Sequence, residues 1–123
     1  MLNALFGNSA EIDPAKLRKE FEPYLIDGEE ILYSFKLFRD LTVFTNYRLV
    51  LVDKQGLTGK KREYTSIPYK SIDLVSMETA GHFDGDSEIV LWVKSKGPIK
   101  LEFKKDGRID EVFKLVSHYS LAA

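Results

Sequence analysis

From Glu29 to Lys104 apolar residues recur with a period of two, and no stretch of helical period interrupts them. Consecutive strands without helices between them pair antiparallel, because a parallel pair needs a long crossover. This removes the α/β folds and leaves a meander of strands that must close around a core. Ile31, Tyr33, Phe35 and Leu37 point one way. The run LTVFTNYRLVLVD, residues 41–53, reads as two strands joined at Asn46-Tyr47, since asparagine tolerates the positive φ of a tight turn. QGLTGKKREY, residues 55–64, supplies the next turn. Strands follow over Arg62–Ile67 and Ile72–Thr79, separated at Pro68. A loop over Gly81–Gly85 leads into a hairpin of Glu88–Lys94 and Ile99–Lys104 across Lys96-Gly97-Pro98.

Both ends of the chain change period. Leu2, Leu5 and Phe6 form one side of a short helical turn that Gly7, Asn8 and Ser9 break. Asp13-Pro14 is a helix start, and Leu17, Phe21 and Tyr24 follow at helical spacing, so a helix is predicted over Pro14–Tyr24. Ile109, Val112, Phe113, Val116 and Tyr119 give the stripe of a final amphipathic helix. The fold class is mainly β (α+β): a helix, about seven strands, then a helix that covers the open end of a bent sheet or barrel. At 123 residues the chain forms one domain, 1–123, with a helical extension over 1–26 and a strand-rich body over 27–123. That length buries a core without metal or disulfide staples.

Phe38 to Val93 resembles the bacterial pleckstrin-homology (PH) domain family. The pieces that carry the resemblance are Arg39-Asp40, Thr45-Asn46-Tyr47-Arg48-Leu49, Gly56–Lys61, Ile67-Pro68-Tyr69 and Glu78-Thr79-Ala80-Gly81. Less sharply, it extends from about Leu25 to the C-terminal helix. It implies a PH-like barrel of seven antiparallel strands in two near-orthogonal sheets, capped by the C-terminal helix, to which the N-terminal helix is extra. It also implies ring-like homo-oligomers, usually pentamers, and leaves the biochemical role open.

Composition bounds the partners. The net charge is −1, from 18 basic and 19 acidic residues, which argues against nucleic-acid binding by bulk charge. The absence of cysteine excludes disulfides, thiolate metal sites and a cysteine nucleophile. The N-terminus lacks the early basic residues and apolar run of a secretory signal, and no apolar run reaches the roughly 18 residues of a membrane span. A cytoplasmic location without cofactors is expected.

Three patterns invite a chemical reading. Gly59-Lys60 suggests a phosphate loop, but that motif needs glycine where Lys54 stands and a hydroxyl where Lys61 stands, and a helix must follow. The segment therefore reads as a hairpin turn whose glycines serve the backbone. Its Lys54, Lys60, Lys61 and Arg62 join Lys94, Lys96 and Lys100 into a weak anion or lipid site if the two hairpins share one end. Such a patch attracts an anionic membrane by ~1 kcal/mol per exposed charge. The resemblance limits this reading, because PH domains that bind phosphoinositides use a long basic first loop and here only Phe38-Arg39-Asp40-Leu41 stands there.

His82, Asp84, Asp86 and Glu88 alternate along one side of GHFDGDSE, yet the spacing of a calcium loop is absent, so a solvated turn without metal is expected. Neither G-x-S-x-G nor H-E-x-x-H occurs, and His82 and His118 have no placed acid–base partner, so no catalytic residue is assigned.

Apolar residues on both strand faces are the strongest signal for assembly. Val90 and Trp92 oppose Ile89, Leu91 and Val93, Val50 and Val52 oppose Leu49 and Leu51, and Leu32 and Phe38 oppose the Ile31 set. One face fills the core. Helices, barrel closure or another subunit must cover the other. Val90, Trp92, Leu32 and Phe38 are assigned to a subunit interface centred on Trp92. The reading is a non-enzymatic interaction module whose partner is a second copy, with an unidentified protein partner and a weak anionic membrane contact as alternatives.

Overall fold

A computed structural model describes residues 14–37, 40–55, 61–79, 87–103 and 108–122. The turn predicted at Leu2–Phe6, the cap at Asp13, the tip of the 55–64 hairpin and the 81–85 loop lie outside the described residues. The elements are α1 (Pro14–Phe21), β1 (Ile31–Leu37), β2 (Asp40–Thr45), β3 (Arg48–Gln55), β4 (Lys61–Pro68), a 3-10 turn (Tyr69–Ser71), β5 (Ile72–Glu78), β6 (Ser87–Val93), β7 (Gly97–Phe103) and α2 (Ile109–Leu121). The strands form two antiparallel sheets, β1-β2-β3-β4 and β5-β6-β7. This is the mainly β fold with a helix at each end that the period-two pattern requires.

The main core lies between the sheets under α2. Phe35, Phe44, Leu49 and Ile67 come from the first sheet, and Ile89, Leu91, Leu101 and Phe103 from the second. Val112 and Val116, one turn apart on α2, close it and are fully buried. The helical stripe at the C-terminus therefore exists because it completes this core.

A second core lies on the outer face of the first sheet. Leu17 and Phe21 of α1 pack there against Leu41, Val43, Val50 and Val52. These two facing sets explain why β2 and β3 are apolar on both sides. The N-terminal helix covers its own sheet, so Val50 and Val52 offer no surface to another subunit. Removing Leu17 and Phe21 from water contributes about 2 kcal/mol each.

Three local differences from the sequence reading have physical causes. Helix α1 stops at Phe21, where Pro23 follows and the Phe21 carbonyl accepts from the Tyr24 and Leu25 N–H groups at 2.8 and 3.1 Å. A register shift between Ile31 and Tyr33 breaks their common face: Ile31 joins the outer cluster, and Tyr33 and Phe35 join the inner one. Gly97 and Pro98 belong to β7 and pair with Val93 and Trp92, so the turn is residues 94–96. Gly97 sits at φ +97° with open space around its α-carbon. Gly97→Ala therefore costs backbone strain alone. The expected loss is about 1 kcal/mol, read from the urea midpoint.

Candidate functional site

The T-N-Y-R turn between β2 and β3 proves to be a polar lock on the chain segment that joins α1 to β1. Asn46 accepts the Glu30 N–H at 2.7 Å and donates to the Gly28 carbonyl at 3.0 Å. The Thr45 hydroxyl donates to Glu29 Oε2 at 2.7 Å and accepts the Tyr47 and Arg48 N–H groups at 3.0 and 2.9 Å. Arg48 grips both Glu29 oxygens, Nε to Oε2 at 2.8 Å and Nη2 to Oε1 at 2.9 Å. Its Nη2 also donates to the Tyr24 carbonyl at 2.7 Å.

The Glu29 side chain is fully buried. Burial opposes its ionisation, but hydrogen bonds from Arg48, Thr45 and the Ile26 N–H outweigh that and hold the carboxyl below its ordinary value. Nearby Tyr69 donates to the Thr45 carbonyl at 2.6 Å and stacks on Tyr119 at 5.0 Å. Burial, with Tyr119 and Glu29 adding to it, pushes its phenol well above the usual range, so it stays neutral. The Glu29, Thr45, Asn46 and Arg48 side chains are all engaged, and the cluster fixes the segment from Tyr24 to Glu30 against the turn. Sequence reasoning saw the turn but not Glu29, which is distant in sequence and looks like any surface glutamate.

The basic residues divide. Lys96, in the turn before β7, lines a cavity between the first sheet and β7. Asp53 of β3 and Glu63 of β4 line the same cavity, so the two hairpin stems do meet at one end. Lys100 lies between the core residues Ile99 and Leu101, which turns its side chain to the outer face, with Nζ 3.8 Å from Glu88. Arg62 points to α1 and pairs with Glu20 at 2.7 Å. Hydrogen bonds to Glu20 and Tyr64 raise its already high pKa. Lys61 and Lys94 are exposed. The Lys54 side chain and all of Lys60 lie outside the described residues. The inner rim at this end thus presents carboxylates as well as lysine. Of the alternating acidic run, His82, Asp84 and Asp86 lie outside the described residues.

The residues assigned to the interface also divide. Trp92 stands on the outer face of the second sheet, directly opposite Leu74 of β5 and Pro98 of β7. Leu74 is 58% exposed and Trp92 41%. Val90, two residues before Trp92 on the same face, is half-buried. Leu32 is elsewhere: it borders a groove along α2 with Leu115 and Tyr119. Phe38 lies outside the described residues. Leu74 escaped the sequence reading because strict alternation puts it beside Ile72. A register shift between Ile72 and Leu74 sends Ile72 into the core and Leu74 outward.

Among the described residues no helix is long and apolar enough to cross a membrane. The sequence pattern of the family described as "Bacterial PH domain" matches residues 1–120. Two uncharacterized Bacillus subtilis (strain 168) proteins are similar. YjqA is 46% identical over 118 residues, 94% of each chain. YozO is 37% identical over 108 residues, 88% of this chain and 90% of its own. A crystal structure of a DUF1696 family protein with a pleckstrin-homology domain from Shewanella loihica superimposes with TM-score 0.83 at 42% identity, covering 91% of this chain and 97% of that one. A pleckstrin-homology domain from Shewanella amazonensis gives TM-score 0.71 at 45% identity, covering 94% of each. With the two-sheet, helix-capped architecture and the sequence match in agreement, the chain belongs to the bacterial PH domain family.

Proposed function

We propose that this protein is a non-enzymatic interaction module that works as a ring-shaped homo-oligomer, with Trp92 and Leu74 at the subunit contact. The observation that carries this reading is the pair itself. Two large apolar side chains sit directly opposite each other on an outer sheet face, and both are well exposed. Large aromatics so placed anchor protein contacts. A ring needs two different patches, because each subunit meets its neighbours head to tail. The α2 groove bordered by Leu32, Leu115 and Tyr119 supplies a second apolar patch distinct from the first. Several identical copies of one outward surface then convert weak contacts with a partner into avid ones. A pentamer is the subunit number that the family resemblance favours.

Analytical ultracentrifugation tests the reading at micromolar protein. A discrete mass several times that of one chain is expected, and a stable monomer would end it. Trp92→Ala and Leu74→Arg are each expected to lower the assembled mass. Because both side chains are exposed, each changes the stability of the dissociated chain by no more than about 0.5 kcal/mol. If neither alters the mass, the contact is elsewhere. Salt-sensitive flotation with acidic vesicles, lost on replacing Lys61, Lys94 and Lys96 by alanine, would instead favour the basic turns.

A further inference from the structure

We propose that a cavity between the two sheets binds a free α-amino acid with an apolar side chain of about leucine size. The cavity, of about 210 Å³, lies between β2, β3 and β4 on one side and β7 on the other. Its floor is apolar, from Leu51, Ile99 and Leu101. Its rim is charged, and the charges are arranged in an unusual way.

Asp53 and Glu63 are direct partners in the β3–β4 register, on the same inward face as Leu51 and Thr65. Like charges directly opposite on neighbouring strands disfavour the fold. Neither carboxylate has an ion pair among the described residues. Across the cavity Lys96 is likewise unpaired among the described residues. Deeper in, Thr42 lines the cavity at only 6% exposure, and its hydroxyl has no hydrogen-bond partner among the described residues. A buried hydroxyl left unpaired is costly and rare. A carboxylate pair, a lysine and a buried hydroxyl thus line one cavity.

An occupant that relieves the rim charges carries charges of both signs, and the floor of Leu51, Ile99 and Leu101 asks for an apolar part. A primary ammonium donates to the Asp53–Glu63 pair, a carboxylate meets Lys96, and a short apolar side chain covers the floor beside Thr42. A purely anionic ligand would face two carboxylates. A quaternary ammonium is recognised by aromatic faces, and the described lining contains none. Lys61 precedes Glu63 by two residues in β4 but lies outside the lining, so it does not neutralise the pair within the cavity.

Titration of the full chain by calorimetry tests the proposal with four probes: L-leucine, isopentylamine (no carboxylate), 4-methylpentanoate (no ammonium) and choline. Saturable binding of leucine is expected, with each of the other three at least about tenfold weaker. Leucine also raises the melting temperature, with the logarithm of its concentration once that exceeds Kd. Asp53→Asn combined with Glu63→Gln weakens leucine at least about tenfold, as does Lys96→Ala. Without leucine that double variant is at least as stable as the parent, because a repulsion has been removed. Folding failure is thus separated from loss of the site. No saturable leucine binding at concentrations on the order of tens of millimolar overturns the proposal. So does leucine affinity that is unchanged in the double variant, or 4-methylpentanoate bound as tightly as leucine.

Discussion

Arg48→Met is expected to lower the unfolding free energy by about 3 kcal/mol, more than any surface change in this chain. The cost does not come mainly from the lost attraction. It comes from Glu29, whose carboxylate stays fully buried once both guanidinium bonds to it are gone. The Tyr24 carbonyl also loses its 2.7 Å donor. Glu29→Gln together with Arg48→Met is expected to cost less than Arg48→Met alone, because no buried charge remains.

The acid side of the stability curve provides a second readout. The Glu29 carboxyl in the folded chain lies below its ordinary value of 4.5. A depressed carboxyl contributes stability that is fully present above the unfolded value and lost as pH falls through the folded one. The parent therefore weakens on acidification below about pH 4.5. In Arg48→Met only the Thr45 and Ile26 bonds still oppose burial, so the carboxyl rises relative to the parent and the acid-side loss from this group shrinks. Urea unfolding of both chains near pH 4 and pH 7 measures the difference. Parallel pH profiles would show that Arg48 does not govern Glu29.

Phe21→Ala is expected to cost about 3 kcal/mol, a large effect for a helix of eight residues. A helix this short does not hold itself together in water, so α1 exists only because Leu17 and Phe21 are docked on Leu41, Val43, Val50 and Val52. Loss of the Phe21 ring removes the larger of the two anchors and its edge contacts with Tyr24 and Tyr64. The outer face of β2 and β3 then opens to water, and binding of an apolar dye should rise with the fall in urea midpoint. A loss below about 1 kcal/mol would mean that α1 contributes little cover.

Much of the fold was legible because alternation reports which residues share a face. Leu49, Leu51 and Ile67 alternate with polar or outward residues, and the structure puts all three inward. The α2 stripe was legible for the same reason at helical period, with Val112 and Val116 at its centre. The register shifts at Leu32 and Asp73 were not legible. One extra residue in a strand moves every following side chain to the other face, and nothing local in IDLV or ILY announces it. This is why Leu74, rather than Val90, emerged as the exposed companion of Trp92.

The candidate sites were less legible still, since each depends on residues far apart in sequence. QGLTGKKREY drew notice for its positive charges, yet Arg62 is matched by Glu20, and Lys61 is exposed beyond the cavity lining. The carboxylates of the cavity come from the stems on either side of that turn. Sequence supplied the charges, and the β3–β4 register decided that Asp53 faces Glu63.

Periodicity alone determined the strand order, the antiparallel pairing and the two terminal helices, because hydrophobic burial acts on every side chain according to its place in a repeating backbone. Tertiary structure alone decided what covers each apolar face, which charges are paired and where a cavity remains. Those outcomes turn on distances of a few ångströms between segments such as Tyr24–Glu30 and Thr45–Arg48, and no period in the chain encodes them.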